Sequence, residues 1–364
     1  MIKHVTTKRD LKRFIRFQQV LYQKDPHYVP PLFFIVYQEL KKVVLKTNEY
    51  TALLAYKNKK IVGRLLYTVD HSKHKNKPVG YFSFYDVIDD INVSRALFDT
   101  MTNDLAKKDI QYIEGTFAPY DPDTRRGVLV KGFHDDPVVF SSYNKPYYQT
   151  HLELLGYYKV IDTVALKADV SQATRKRLKI ITSFFERNHN VKIDHLNMKN
   201  LDADLEDVHT ILSEADSDVI YQETPNMAMI ERAAKQLKPF INPKFILIAR
   251  EENTSRPIAF CLVLPDYHQV FKKMQGKLKL WTFFKERKHI TRARGMMQYV
   301  VPEYQNSGLL GKLFYHIYQA FKEAEITDFE AGTIVEENTK SIDAFQKFGG
   351  EITKVYRIYG KDID

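Results

Sequence analysis

Apolar positions along the chain fall into two rhythms, and the places where one gives way to the other mark the elements. From about Lys8 to Gln23 they recur at helical spacing. A proline-containing loop, Asp25–Pro31, and a second helix follow. Apolar runs then predict strands near 50–57, 61–69 and 80–88. Asn92–Lys108 returns to helical spacing, with Asn92 as its expected N-cap. A strand over Gln111–Phe117, an irregular insert at about Ala118–Phe140, a short helix at Tyr147–Leu155 and a strand near Tyr158–Leu166 complete the first half. The basic stretch around 171–190 predicts a helix and Val191–Leu196 a strand. Helices near 203–215 and 226–238 precede a strand pair within Phe245–Asp266. After a second insert, about Tyr267–Ile290, come an apolar strand (Gly295–Val301), a helix (Leu309–Glu323) and the strand Asp328–Val335.

The second half repeats the order of the first. Strand, polar turn and strand at Leu53–Asp70 correspond to Phe245–Asp266, and Gly80–Ile88 corresponds to Gly295–Val301. Glu114-Gly115-Thr116 corresponds to Ala331-Gly332-Thr333, and Leu155-Gly156-Tyr157 to Phe348-Gly349-Gly350. Four correspondences in the same order predict two copies of one domain, 1–168 and 169–364. No low-complexity linker separates them.

Composition narrows the class. A chain of 364 residues that is 44% hydrophobic and 27% charged has room for two domains with real cores. The one cysteine, Cys261, lies in an apolar run and excludes intramolecular disulfides. The N-terminal sequence lacks the apolar core of a secretory signal, and no run approaches the roughly 18 apolar residues of a spanning helix. The expectation is a cytoplasmic protein without a membrane span. A formal charge of +10 favours acidic partners such as a phosphate-bearing cofactor, nucleic acid or an anionic surface. Of two basic clusters, Arg175–Lys179 reads as a solvated face, whereas Lys285–His289, with Arg292 and Arg294, lies in the insert before an apolar strand. His71 and His74 read as surface residues, and no metal motif, serine-hydrolase elbow or nucleotide-triphosphate loop is present.

The most specific chemistry is in Val300–Gly311, VVPEYQNSGLLG. A strand ends at a proline, a polar loop with glycine follows, and a helix begins. Unpaired N–H groups at such a helix start, together with the helix dipole, suit a phosphate group. With this loop, the Asp25–Pro31 segment, Gly80–Asp90, the YNKPYY segment Tyr143–Tyr148 and the terminal Val355–Lys361, the chain resembles the GNAT superfamily of acyl-CoA-dependent N-acyltransferases in tandem form. It is similar to a group of bacterial two-copy GNAT-like proteins. The resemblance covers nearly the whole chain and is closer in the second half. It implies an α/β (α+β) fold of two domains. Each would be a mixed, curved sheet with helices on both faces, whose fourth and fifth strands splay to admit a pantetheine arm.

The family's pyrophosphate motif falls on Gln305, Asn306, Ser307, Gly308, Leu309 and Leu310. Leu310 replaces the final small residue, and Gly311 lies one step later. The resemblance implies acetyl-CoA or another acyl-CoA as cofactor, without metal. Backbone groups of Val300 and Val301 would face the pantetheine, with Val300 near the thioester oxygen, and Asn338 would face the arm or cap a helix. The partner would be a small-molecule or peptide amine; oligomeric state stays open. Candidate catalytic groups are Glu330 and Glu336, with Glu337 beside it, as bases for the amine, and Tyr356 or Tyr359 as phenols. Glu330 recurs as Glu114 in the first copy, which fits a catalytic or a structural role. The tyrosine that protonates the departing thiolate in many members is Phe345 here, and Leu152 in the first copy. Where the first copy's phosphate loop should lie the chain reads Asp89-Asp90-Ile91-Asn92. Two carboxylates there would repel a pyrophosphate by about 1 to 4 kcal/mol each, depending on the local dielectric. The cofactor is therefore expected in the second copy alone. Two other readings stand beside the acyltransferase. One is a tRNA-dependent aminoacyltransferase, suggested by the charge but lacking that family's helical-hairpin insertion; the other is a non-catalytic pair of degenerate copies.

Overall fold

Each copy folds around mixed β-structure that contains one short parallel strand pair, and that pair is what opens a cleft. The structure is a computed structural model and describes residues 1–70, 78–117, 126–214 and 225–363. His71, His74 and residues 118–125 of the first insert lie outside the described residues.

One compact unit comprises Met1–Thr163, Val270–Lys285 and Lys354–Asp364; the other comprises Val164–Gln269 and Glu286–Thr353. In chain order the first half contains β1 (Ile2–His4), α1 (Lys8–Leu21), α2 (Phe33–Leu45), β2 (Tyr50–Lys57), β3 (Lys60–Asp70) and β4 (Val79–Val87). It continues with α3 (Ile91–Ala106), β5 (Tyr112–Gly115), β6 (Val128–Lys131), α4 (Tyr147–Leu154) and β7 (Tyr158–Ala168). The second half contains α5 (Gln172–Asn188), β8 (Val191–His195), α6 (Leu201–Glu214), α7 (Met227–Leu237), β9 (Ile246–Glu251) and β10 (Pro257–Pro265). Its second insert forms two short helices, α8 (His268–Met274) and α9 (Leu280–Glu286). Then come β11 (Arg292–Val300), α10 (Leu309–Glu323), β12 (Asp328–Val335), α11 (Thr339–Lys347) and β13 (Glu351–Asp362).

In the first unit, strand alternation sorts side chains between two helical layers. Ala52 and Leu54 of β2 and Leu66 of β3 pack with Leu11 and Phe14 of α1 and with Val36 and Leu40 of α2. Their neighbours Leu53, Ala55, Leu65 and Tyr67 pack on the opposite face with Leu97, Met101 and Leu105 of α3. Strands β1 to β4 run antiparallel, and β4 pairs with β5 in parallel across α3. The second unit follows the same plan. Strands β8 to β11 are antiparallel and β11 pairs with β12 in parallel across α10. Helix α6 packs on β9 to β11, while α10 packs on β9 and on α5.

Both parallel pairs are short. β4 meets β5 only over Gly80–Phe82, and β11 meets β12 only over Arg292–Gly295. Past those rungs each strand carries a one-residue irregularity, between Arg64 and Leu66 in the β3–β4 ladder and between Leu262 and Val263 in the β10–β11 ladder. A bulge bends the strand that contains it. The two strands therefore part, and the following helix starts at the mouth of the gap. The Gly115–Thr116 and Gly332–Thr333 peptides beside the two gaps are both cis. One local expectation changes: α3 starts at Ile91 and is capped by Asp90, not Asn92, because the Asp90 carboxylate accepts the Asn92 N–H at 3.1 Å.

Candidate functional site

In the second unit the last rung of β11 sets the loop. The Val301 N–H donates to the Ile258 carbonyl at 3.0 Å, so antiparallel alternation turns the N–H and C=O of Val300 away from β10 and toward the open gap. A 3₁₀ turn, Pro302–Tyr304, follows, and the Tyr304 N–H closes on the Val301 carbonyl. The Ser307 hydroxyl donates to the Tyr304 carbonyl at 2.6 Å and accepts the Leu309 N–H at 3.3 Å. Asn306 (φ 59°) and Gly308 (φ 101°) are both left-handed, which reverses the chain into α10. Gly308 is the N-cap and makes no side-chain capping bond, so past the Leu309 N–H, which meets the Ser307 hydroxyl, the first turn has no side-chain cap.

The surface of this loop is accessible where an anion would lie. Gln305 and Asn306 are exposed, and Ser307, Gly308 and Leu310 are half-buried. Leu309 is fully buried and pins the helix start into the core. Gly311 is buried as well; a Cβ there would stand 2.7 Å from Ile181 Cγ2, so its small size lets α10 approach α5. Gln305 donates from Nε2 to the Val300 carbonyl at 3.2 Å, leaving the Val300 N–H as the group aimed at the gap. The acidic residue of the turn, Glu303, is engaged by Arg256 at 2.9 Å. Lys312, in the first turn, is turned inward to the Val191 carbonyl and Glu186. An uncapped helix start beside an open strand edge fits a phosphate-tailed, amide-containing ligand.

The other candidates are dispersed. Glu330 is buried inside the paired segment of β12, opposite Arg294 in register; burial pulls the Arg292 guanidinium pKa down, and Asp266, with Glu330 behind it, outweighs that and holds it above its ordinary value. It follows Phe329, which packs on Phe321 of α10, just as Glu114 follows Ile113 of the α3-facing core. The repeated glutamates thus share a position, on the sheet face away from the helix. Glu336 is half-buried and follows the last residue of β12, past the point where the strands part. Asn338 caps α11 by accepting the Ser341 N–H at 3.1 Å. Phe345 is buried against Phe314. Tyr356 is fully buried in β13, opposite Leu129 of β6, and belongs to the first unit.

The first unit has the same frame with its openings filled. The Ile88 N–H donates to Val62, so Val87 stands where Val300 does in the second unit. There the Tyr148 hydroxyl accepts the Val87 N–H at 3.0 Å and the Tyr147 hydroxyl donates to its carbonyl at 2.7 Å. Tyr148 also donates to Asp86 at 3.2 Å, beside Tyr22 at 3.0 Å, and Asp86 is held by the buried Arg64 at 2.7 Å. Burial pushes both the Tyr22 and Tyr148 phenols far above their ordinary range, which keeps them neutral donors. At the helix start Asp90 caps α3 and pairs with Lys57 at 2.9 Å, while Asp89 accepts from His151 at 3.2 Å. Sequence reasoning missed this plug. Its one signal was the YNKPYY segment, which carried no spacing that pointed at β4.

No protein-family model matches the chain. It is similar along its length to Protein YghO of Escherichia coli (strain K12), at 28% identity over 100% of this chain and 95% of that protein. It is also similar to the bacterial ceramide synthase of Caulobacter vibrioides (strain NA1000 / CB15N), at 24% identity over 99% of this chain and 96% of that protein. Among solved structures, a tandem GNAT protein from the clavulanic acid biosynthesis pathway matches 100% of this chain and 99% of its own. Its TM-score is 0.56 at 11% identity. The chain therefore has a tandem GNAT fold.

Proposed function

We propose that this tandem GNAT fold is an acyl-CoA-dependent N-acyltransferase whose donor site is the Val300 edge and the Gly308 helix start of the second unit. The observation that carries the reading is the pairing of an uncapped helix start with an open strand edge in one unit, while both are filled in the other. The first-turn amides of α10 and the side chains of Gln305, Asn306 and Ser307 would hold the pyrophosphate, and the Val300 N–H would orient the arm. Bound acyl-CoA supplies an acyl group activated as a thioester. The chain's own part is to hold it in the gap, keep the acceptor nitrogen against it and take up the proton that the amine loses. Glu336 is the better placed base, because Glu330 lies within the paired strands opposite Arg294. Phe345 has no proton to give, so in this reading the leaving sulfur takes its proton from water.

The likeness to a bacterial ceramide synthase favours a long-chain amine as acceptor and a long-chain acyl group as donor over acetyl transfer. Phe345 favours one second reading, a CoA-binding protein without turnover. Isothermal titration with acetyl-CoA and palmitoyl-CoA tests the site: heat with at least one is expected, and none with either removes the proposal. Thiol release in the presence of short amines and of a long-chain amino alcohol then separates enzyme from binder.

A further inference from the structure

The second insert ends in a segment whose apolar side chains face solvent. Leu278, Leu280 and Phe284 are half or more exposed, Trp281 is 91% exposed, and no residue of α9 is buried. Residues 280, 281 and 284 share one face of a helical turn. Lysines 277, 279 and 285 interleave with them, all exposed, and the chain runs on through Arg287 and Lys288 with Glu286 as the single acid between 277 and 289.

The inner end of this segment is fixed. Met274 is fully buried, Lys272 pairs with Asp136 at 2.5 Å, and the Phe33 N–H donates to the Gly276 carbonyl at 3.1 Å, where the Phe33 ring leaves no room for a Cβ. Phe34 and Ile35, next along the chain from that anchor, are also exposed. A rigidly based projection tipped with Trp, Leu and Phe and ringed by lysines has the composition of an interfacial membrane anchor. No described helix is long and apolar enough to cross a membrane, so such contact would be with one leaflet.

We propose that Lys277–Lys285, with Phe34 and Ile35, seats the protein on an anionic lipid surface, Trp281 entering the headgroup boundary and the lysines meeting lipid phosphates. Charge complementarity selects this occupant over a second copy, since a two-fold contact through the segment would set lysines against lysines. The inference does not depend on the donor site.

Trp281 is the chain's one tryptophan, so its fluorescence reads the segment directly. Vesicles of phosphatidylcholine with phosphatidylglycerol should shift the emission to shorter wavelength, and vesicles of phosphatidylcholine alone should do so weakly. In flotation, Trp281→Ser with Phe284→Ser, and separately K277E with K279E and K285E, should each reduce the bound fraction about tenfold. Far-UV circular dichroism and the heat of acyl-CoA binding should stay as in the parent. Emission unmoved by anionic vesicles overturns the proposal, as does an equal shift with neutral ones. A shift that grows with protein concentration without lipid, together with dimer sedimentation lost in the Trp281 variant, assigns the face to a second copy instead. Acyl-CoA heat without vesicle binding removes this inference alone.

Discussion

The two strand–helix junctions of this chain share a backbone plan and differ in what occupies it. At α3 an aspartate side chain accepts the amide that an anion would otherwise meet, a second aspartate stands beside it, and two tyrosines take both polar groups of Val87. At α10 a left-handed glycine supplies the turn without offering an acceptor, and the Val300 N–H faces the gap. A helix start is an anion site only while its donors are free. An aspartate cap converts the same donors into roughly 1 kcal/mol of helix stability. One copy has used the junction for stability and the other has left it available for a ligand.

The largest expected effect comes from giving the second junction the first one's charge. Gly308→Glu sets a carboxylate at the helix start, on a backbone with φ 101° that side chains rarely adopt. A repulsion of about 3 kcal/mol corresponds to about a hundredfold weaker CoA binding by titration calorimetry. Asn92→Glu should leave that binding unchanged, and equal losses from the two would break the comparison. Next, Tyr148→Phe leaves the Val87 N–H and the Asp86 carboxylate each without one partner in a buried site. Denaturant unfolding should show a loss of about 1 to 3 kcal/mol with CoA affinity intact. Asp90→Ala should cost about 1 kcal/mol by loss of the cap, again without effect on CoA.

That last difference has a pH signature. The hydrogen bond from Lys57, more than any other contact, holds the Asp90 carboxyl below its ordinary value, partly opposed by desolvation. A depressed native pKa contributes stability above the unfolded value of about 3.9. The gap between parent and Asp90→Ala should therefore hold steady at neutral pH and close as the pH falls below about 4. The smallest expected effect is chemical. Burial pushes the Cys261 thiol up to about 12, so iodoacetamide at pH 8 should label it only after unfolding.

Much of this contrast is legible in the sequence, because it is local. Strand, proline, glycine and helix follow one another within Val300–Gly311, and Asp89-Asp90 stand in the matching place. What resisted was non-local or over-determined. Asp90 and Asn92 are both good caps two residues apart, and only the backbone chooses between them. Gly311 reads as a small residue for close phosphate approach, yet it faces α5, which starts well over a hundred residues earlier. Tyr147 and Tyr148 plug β4 across sixty residues of chain with no periodicity to announce it. Tyr356 lies near the second copy's site in sequence and pairs with β6 of the first unit, since strand partners are chosen by pairing and not by distance along the chain.

Amide hydrogen exchange with and without saturating CoA reads both junctions in one sample. Protection gained at Ser307–Lys312, with none at Ile88–Ser94, is the predicted result. Protection appearing at the first junction, or equally at both, would contradict the assignment of the cofactor to the uncapped helix.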